Sequence, residues 1–132
     1  MSSVLIRSAL ETGLNAMTPA LATAWENAAF TPTVAAYQSV ALLFAAPDNI
    51  SYGAGFTEQG IMQVDLSYPQ ETGPAAAYTR AELIRSTFAR GETFSSGGVS
   101  VIIQRTPEIL PGRNEGSRYI LPVRVRFFAH LF

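Results

Sequence analysis

Few residues in this chain could support catalysis or bind a metal, and they are spread widely along the sequence. The chain has one histidine, His130, and no cysteine, so thiolate catalysis, disulfides and cysteine-based metal sites are excluded. A catalytic triad or a zinc site needs a histidine together with further partners. His130 has no carboxylate or serine beside it in the sequence. We therefore interpret it as a surface or interface histidine.

The carboxylates offer no stronger case for an active site. The ten acidic residues are scattered and never form a close pair or triplet, although carboxylates from distant segments can still meet in a fold. The chain has no GxSxG, HExxH, GxGxxG or Walker A motif. Gly53-Ala54-Gly55 lacks the Gly-Lys-Ser/Thr that follows in a phosphate-binding loop. The residues therefore predict a protein that is not an enzyme and has no cofactor and no metal site.

The composition favours a protein that hides part of its surface by self-association. Hydrophobic residues make up 48% of the 132 residues and charged residues only 14%, against about a quarter in typical domains. All nine basic residues are arginine, which suits bidentate contacts at interfaces. Two plainer interpretations stay open: a modestly soluble monomer, and an arginine bias that reflects a GC-rich genome.

Length and charge limit the domain organisation and the partners. A chain of 132 residues predicts one domain, residues 1–132. A net charge of −1 with no basic tract argues against nucleic-acid binding, including sequence-specific binding. No stretch approaches the ~20 apolar residues that span a bilayer, and the N-terminus lacks the unbroken apolar run of a signal peptide. We expect neither a nucleic acid nor a membrane as a partner.

The last fifteen residues, 118–132, alternate with a period of two that predicts a β-strand. One row of this strand is apolar throughout and comprises Tyr119, Leu121, Val123, Val125, Phe127, Ala129 and Leu131. The other row mixes apolar and basic side chains. Apolar side chains on both faces predict that one face packs within the subunit and the other against a neighbour.

The mixed row leads to a predicted oligomer interface. The predicted interface comprises Ile120, Arg124, Arg126, Phe128 and Phe132 of this row, together with Asp65 from the predicted strand at residues 61–68. Asp65 is included because it could pair with Arg124 or Arg126 across strands or across subunits. Both arginines share a strand face with Arg118, and an alternative interpretation makes that face the solvated side of an edge strand.

The rest of the chain predicts two helices and several strands. Apolar stripes predict one helix that ends at Thr18-Pro19 and a second that runs from Gly73-Pro74 to Gly91. The stripes are Ile6, Leu10, Leu14 and Met17 in the first helix, and Ala77, Ala81, Ile84 and Phe88 in the second. Strands are predicted at residues 36–44, at 61–68 and from Val99, with a short strand within 20–33. Residues 94–98 are predicted to form a turn and residues 111–116 a hairpin tip.

Residues 51–60 are rich in glycine and are predicted to form a mobile loop that orders on assembly. Its candidate assembly residues are Tyr52, Gly53, Gly55 and Phe56. The C-terminal strand would span about 50 Å, which exceeds the ~36 Å diameter of a compact domain of this length. We therefore expect it to bend at Pro122 or to protrude. Hairpin-type connections predict an α+β fold, a mainly antiparallel β-sheet with two helices packed against one side.

Short motifs occur in a characteristic order along nearly the whole chain. They are Ala24-Trp25-Glu26-Asn27, Phe30-Thr31-Pro32, Gly60-Ile61-Met62-Gln63-Val64, Tyr68-Pro69, Arg80-Ala81-Glu82, Phe88-Ala89-Arg90-Gly91, Gly97-Gly98, Pro107, Pro111-Gly112 and Tyr119-Ile120-Leu121-Pro122-Val123. In this order they resemble the small tail-terminator proteins of siphophages and prophages, a group that includes a phage-related family formerly of unknown function. Each motif alone is degenerate, so their order carries the resemblance.

The resemblance implies a structural function. Tail terminators form a ring, usually a hexamer, that stops polymerisation of the tail tube and presents a surface for the head or neck. The implied partners are further copies of the chain, the tail tube protein and a head or neck completion protein. The implied location is the virion tail, with the host cytoplasm during assembly. Two alternatives stay open: a neck or head-completion (head–tail connector) protein, and a small-molecule binding module with residues 51–60 as a lid.

Overall fold

The computed structural model describes residues 2–17, 22–25, 36–46, 49, 56–69, 74–116 and 118–131. These residues form two helices and one eight-stranded sheet, which confirms the predicted α+β class. The elements are α1 (Ser2–Asn15), β1 (Ala22–Ala24), β2 (Tyr37–Phe44), β3 (Phe56–Pro69), α2 (Ala75–Thr87), β4 (Thr93–Ser96), β5 (Val99–Ile103), β6 (Glu108–Ile109), β7 (Arg113–Glu115) and β8 (Arg118–Leu131). The strand order is β1-β2-β3-β8-β5-β4, and β6 and β7 also pair with β8. Only the β1–β2 pair is parallel among the described strands.

Both predicted helical stripes are buried in one hydrophobic core. Ile6, Leu10 and Leu14 of α1 are each at most 1% exposed, because a spacing of four places them on one side of the helix. In α2 the stripe from Ala77 to Phe88 is fully buried. The core also contains the inner side chains of the sheet, so the two helices form a single layer on one of its faces.

The ends of the helices differ from the prediction. Helix α1 ends at Asn15, and Thr18 and Pro19 lie outside the described residues, as does Gly73. Helix α2 begins after Pro74 and ends at Thr87, four residues before Gly91. Phe88 leaves the helical conformation, and its ring packs 4.8 Å from that of Phe94 in the core. Gly91 does have the predicted positive φ, at +89°.

Strands β3 and β8 form the long centre of the sheet. Each has 14 residues, and they pair without interruption from Phe56↔Leu131 to Pro69↔Arg118. The register continues through Asp65↔Pro122, so Pro122 does not interrupt the pairing. A bend of the paired strands at this point stays a prediction. The nitrogen and carbonyl of a strand residue point to the same side, and the Pro122 carbonyl accepts a hydrogen bond from the Leu110 amide at 3.0 Å, on the side away from β3. Proline is tolerated there because its missing N–H removes no hydrogen bond between β3 and β8. Past Phe128, β8 pairs only with β3 among the described strands, so the two strands extend together beyond their neighbours.

The prediction of a mobile loop over residues 51–60 is wrong for its second half. Phe56 begins β3, and residues 56–60 pair with residues 127–131 of β8. Gly60 is buried, and its lack of a side chain allows the backbone of β2 to approach closely. This glycine therefore serves packing rather than flexibility. The other candidate assembly residues, Tyr52, Gly53 and Gly55, lie outside the described residues.

We predict that Gly60→Ala destabilises the fold. A Cβ at this position would press on the Leu43 carbonyl oxygen and lie 3.0 Å from Cζ of Phe127. Because backbone and a core ring cannot easily move, the free energy of unfolding should fall by about 1–3 kcal/mol. Urea denaturation measures this, with Ser39→Ala in β2 as a control that should stay within about 0.5 kcal/mol of wild type. Equal midpoints for Gly60→Ala and wild type would contradict the packing role.

The predicted turn over residues 94–98 is also wrong in part. Thr93–Ser96 form β4, which pairs with β5, and only Gly97 and Gly98 form the turn. Both glycines have positive φ, +56° and +86°, as a two-residue hairpin turn requires. The serines that suggested a turn are strand residues, and the hydroxyls of Ser95 and Ser100 lie 3.2 Å apart across the hairpin. The predicted hairpin tip over residues 111–116 is wrong in part as well, because Arg113–Glu115 form β7, which pairs with β8. Within that range the turn is at Gly116, whose φ is +62°.

Candidate interface on the uncovered sheet face

The two faces of β8 differ as the sequence predicts. On the inner face Leu121, Val123, Val125, Phe127 and Ala129 are all 0% exposed beneath the helices. On the outer face Ile120 and Phe128 are half-buried and Arg126 is exposed. Both helices lie on the inner side, and no described element forms a layer over the outer face.

Apolar side chains from three further strands join Phe128 on the outer face. Ile102 lies beside Phe128 in the register of β5 and β8, and Ile61 lies between Leu43 and Arg126 in the register of β2, β3 and β8. Leu43 is 55% exposed. We call Leu43, Ile61, Ile102 and Phe128 the outer apolar patch. A depression of about 230 Å³ beside Leu43, Ile61 and Arg126 gives the patch a concave side.

Asp65 and Arg124, both predicted interface residues, are linked through a third side chain. Arg124 Nε donates to Gln63 Oε1 at 3.1 Å, and Gln63 Nε2 donates to Asp65 Oδ1 at 3.1 Å. The expected direct pairing of Asp65 with an arginine therefore does not occur among the described residues of one chain. The reason is register: Asp65 lies opposite Pro122, whereas Gln63 lies opposite Arg124.

The three arginines on the outer face of β8 have different surroundings. Arg118 donates to the hydroxyl and carbonyl oxygens of Ser67 at 2.8 and 2.9 Å and lies over the Tyr37 ring. The side chain of Arg126 is exposed and makes no hydrogen bond or ion pair with any described residue. Arg118 is thus committed to its own subunit, whereas Arg126 is available to a partner. Phe132, the remaining predicted interface residue, lies outside the described residues.

His130 is an exposed side chain near the end of this face. Its Nδ1 lies 2.8 Å from Thr57 Oγ1 across the strands, and its ring meets that of Phe128 edge-on at 5.3 Å. These contacts agree with a surface histidine. In the part of the chain that the structure describes, no three histidine, aspartate or glutamate side chains come together as a metal site.

Sequence reasoning missed two arginines that approach this face from elsewhere. Arg85 projects from α2 and Arg105 follows β5, and both meet Arg124 and Arg126 at one edge of β8. Together with Thr106, Pro107 and Glu108 they line a depression of about 370 Å³, which we call the arginine recess. The one available signal was Pro107, which predicts that the chain leaves its strand near this point.

A further arginine lies inside the fold. Arg80 of α2 is 6% exposed, and its guanidinium donates to Gln38 at 3.5 Å. Burial lowers the pKa of Arg80, and the nearby Tyr68 partly counteracts this shift. Burial also raises the pKa of Tyr68. This arginine belongs to the packing between α2 and the sheet rather than to the outer face.

Neither described helix is long and apolar enough to cross a bilayer.

Comparisons with known proteins agree with the fold and indicate a family. A solved protein structure is similar over 100% of this chain and 97% of its own length, with a TM-score of 0.79 and 27% sequence identity. A search of curated proteins finds no match. A family model described as phage tail terminator protein matches residues 5–127, nearly the full length of the chain. The predicted resemblance is thereby confirmed, and the chain belongs to this family of phage tail terminator proteins.

Proposed function

We propose that this protein closes the phage tail tube as an oligomeric ring, stops further polymerisation of the tube and presents the surface that joins the head or neck. Its family is a structural one of the phage tail. The observation that carries the ring proposal is the outer sheet face. Half-buried apolar side chains in three strands and the exposed Leu43 in a fourth, with an arginine at their border, match the apolar centre and polar rim of a protein interface.

The interface includes most of the residues predicted from the sequence. Phe128 lies at its centre within the outer apolar patch, Arg126 and Arg124 form its basic border, and Ile120 lies further along the same strand face. Asp65 of β3, which lies opposite Pro122 of β8, adds an acidic group to the same face. We propose that this face meets a different surface on the next copy, because head-to-tail contacts are the kind that close into rings.

The ring would contain six copies, as is usual for tail terminators. Its other partners would be the tail tube protein on one side and a head or neck completion protein on the other. The protein would therefore act in the virion tail after assembly in the host cytoplasm. An arrangement of this kind needs no reaction centre, and all of its chemistry lies in complementary surfaces.

Tube capping provides the test of this function. We expect purified protein, added to growing tail tubes, to stop elongation and to appear in electron micrographs as a ring at one tube end. Tubes that continue to lengthen at saturating protein, with no ring visible on any end, would contradict the proposal. Protein that binds head particles but never tubes would instead indicate a neck or head-completion protein. A monomer in isolation agrees with either outcome, since the tube can be required for assembly.

A further inference from the structure

The arginine recess exists because the sheet leaves a gap along one edge of β8. Strand β5 pairs with β8 at Phe127 and Phe128, and β6 pairs with it at Val123 and Arg124. Between these two pairings residues 104–107 leave the ladder after one last hydrogen bond, from the Gln104 amide to the Arg126 carbonyl at 2.9 Å. The gap brings side chains from the helix layer and from the outer face to one place.

Two of the four guanidiniums in the recess are held in position by their own subunit. Arg85 Nε donates to the Pro107 carbonyl at 3.1 Å, and its Nη1 lies 3.6 Å from the Glu82 carboxylate. Arg124 Nε donates to Gln63 as described above. Because these contacts already fix both guanidiniums at the recess, little side-chain entropy is lost when a ligand binds.

The positive charge of the recess is only partly balanced locally, because Glu82 pairs with Arg85 alone. Arg105 and Arg126 are exposed and make no ion pair with any described residue. Glu108 is the one acidic side chain that lines the recess, and it forms no ion pair with a described residue either. Four of the nine arginines of a chain with net charge −1 therefore converge on one small depression.

The compact distribution of these arginines favours carboxylates over a nucleic-acid backbone. The geometry of a guanidinium suits bidentate contacts to both carboxylate and phosphate, so geometry alone does not distinguish them. A nucleic-acid backbone, however, needs a basic stripe along its path. None of the other described arginines lines the recess. Arg118 is on the same face of β8 but lies six residues from Arg124, about 20 Å along the strand. Arg7 and Arg113 pair with Glu11 and Glu115, and Arg118 contacts Ser67. Arg80 is buried, and Arg90 is exposed just after α2 but does not line the recess.

We propose that the arginine recess binds an acidic segment of a partner protein, with carboxylates that reach Arg105 and Arg126. The inference rests on the proposed function, since it assigns the partner chemistry of that interface. Arg126 borders both the recess and the outer apolar patch. The segment would accordingly carry apolar side chains next to its carboxylates.

Binding of a labelled hexaglutamate peptide, followed by fluorescence anisotropy at low salt, tests this inference. Arg105→Gln and Arg126→Gln should each weaken binding by about threefold to tenfold, the range for charge-assisted contacts of partly exposed groups. The matched control is Arg113→Gln, which removes an exposed arginine that is already paired with Glu115. It should leave the affinity unchanged. Absence of binding by the wild type, or an equal loss in all three variants, would overturn the inference.

Two further arms identify the source of the ligand. A duplex DNA that binds more tightly than the peptide, with the same dependence on Arg105 and Arg126, would overturn the carboxylate assignment in favour of nucleic acid. If the carboxylates belong to a second copy, both variants should also weaken self-association in sedimentation velocity. If they belong to another tail protein, self-association should not change while peptide binding falls.

The outcome is distinguishable from that of the ring proposal, because tube capping is measured separately. Wild-type protein that binds hexaglutamate through Arg105 and Arg126 but fails to cap tubes would remove the ring function and leave the recess as an acidic-segment site. Protein that caps tubes but does not bind the peptide would remove only the recess inference.

Discussion

A Phe128→Asp variant is expected to fold and to lose ring assembly on the tail tube. Phe128 is half-buried on the outer face, where it lies beside Ile102 and contacts the His130 ring. Truncation of an aromatic hot-spot residue at the centre of an interface costs about 2 kcal/mol or more, and an aspartate would also bring an unpaired charge into that centre. Since every subunit contact of a ring repeats the loss, assembly should be abolished at working concentrations.

The same change should affect the stability of the subunit much less. The side chain already contacts solvent, so we expect the free energy of unfolding to fall by no more than about 1.5 kcal/mol. Chemical denaturation and tube capping are measured on the same preparation, with Phe128→Leu as a control that retains an apolar side chain. If Phe128→Asp unfolds the subunit as strongly as it blocks capping, Phe128 belongs to the core and the interface assignment fails.

Phe127→Ala, one residue away, is expected to destabilise the subunit strongly and to leave the interface residues in place. Phe127 is 0% exposed, its ring meets that of Phe44 edge-on at 5.9 Å, and it lies opposite Gly60 in the sheet. Removing a buried phenylalanine leaves a cavity and costs about 3–5 kcal/mol, which is a large part of the 5–15 kcal/mol that stabilises a typical domain. The outer face itself is unchanged by this substitution.

Urea denaturation measures the effect, which should appear as a lower midpoint with an unchanged slope. Phe127→Leu fills most of the space and should cost about 1.5 kcal/mol or less. A loss below about 1 kcal/mol for Phe127→Ala would contradict the assignment of Phe127 to the core. The two adjacent phenylalanines thus separate packing within the subunit from contact between subunits.

The sequence predicts most of the core because the buried positions of a helix or strand recur at a regular spacing along the chain. The four-residue spacing of Ile6, Leu10 and Leu14, and the alternation along β8, are visible without knowledge of any distant partner. Both patterns are confirmed. The family resemblance is confirmed as well, since turn residues and strand hydrophobics in a fixed order reflect the arrangement of the elements.

Predictions from glycine and serine content failed where a distant strand decides the structure. Residues 56–60 are extended because β8 pairs with them from more than sixty residues away, and Thr93–Ser96 are extended because β5 pairs with them. Gly60 looks like a flexible residue in the sequence, yet it is required by the closeness of the β2 backbone. Local composition cannot distinguish these two uses of glycine.

The candidate interface could be predicted only in part for a related reason. Alternation in β8 indicates a second apolar face, but strand register brings Leu43, Ile61 and Ile102 to Phe128. The arginine recess depends even more on tertiary structure. Arg85 belongs to a helix and Arg105 to a connection, and nothing in their spacing relates them to Arg124 or Arg126.

The most direct test of the interface is a reconstruction by electron microscopy of the capped end of a tail tube. We expect the outer sheet face of each copy, with Phe128 and Leu43, to be covered by the adjacent copy or by the tube, and Arg126 to contact a carboxylate of that neighbour. A ring in which the outer face of every copy is open to solvent, with all contacts made elsewhere, would contradict the account.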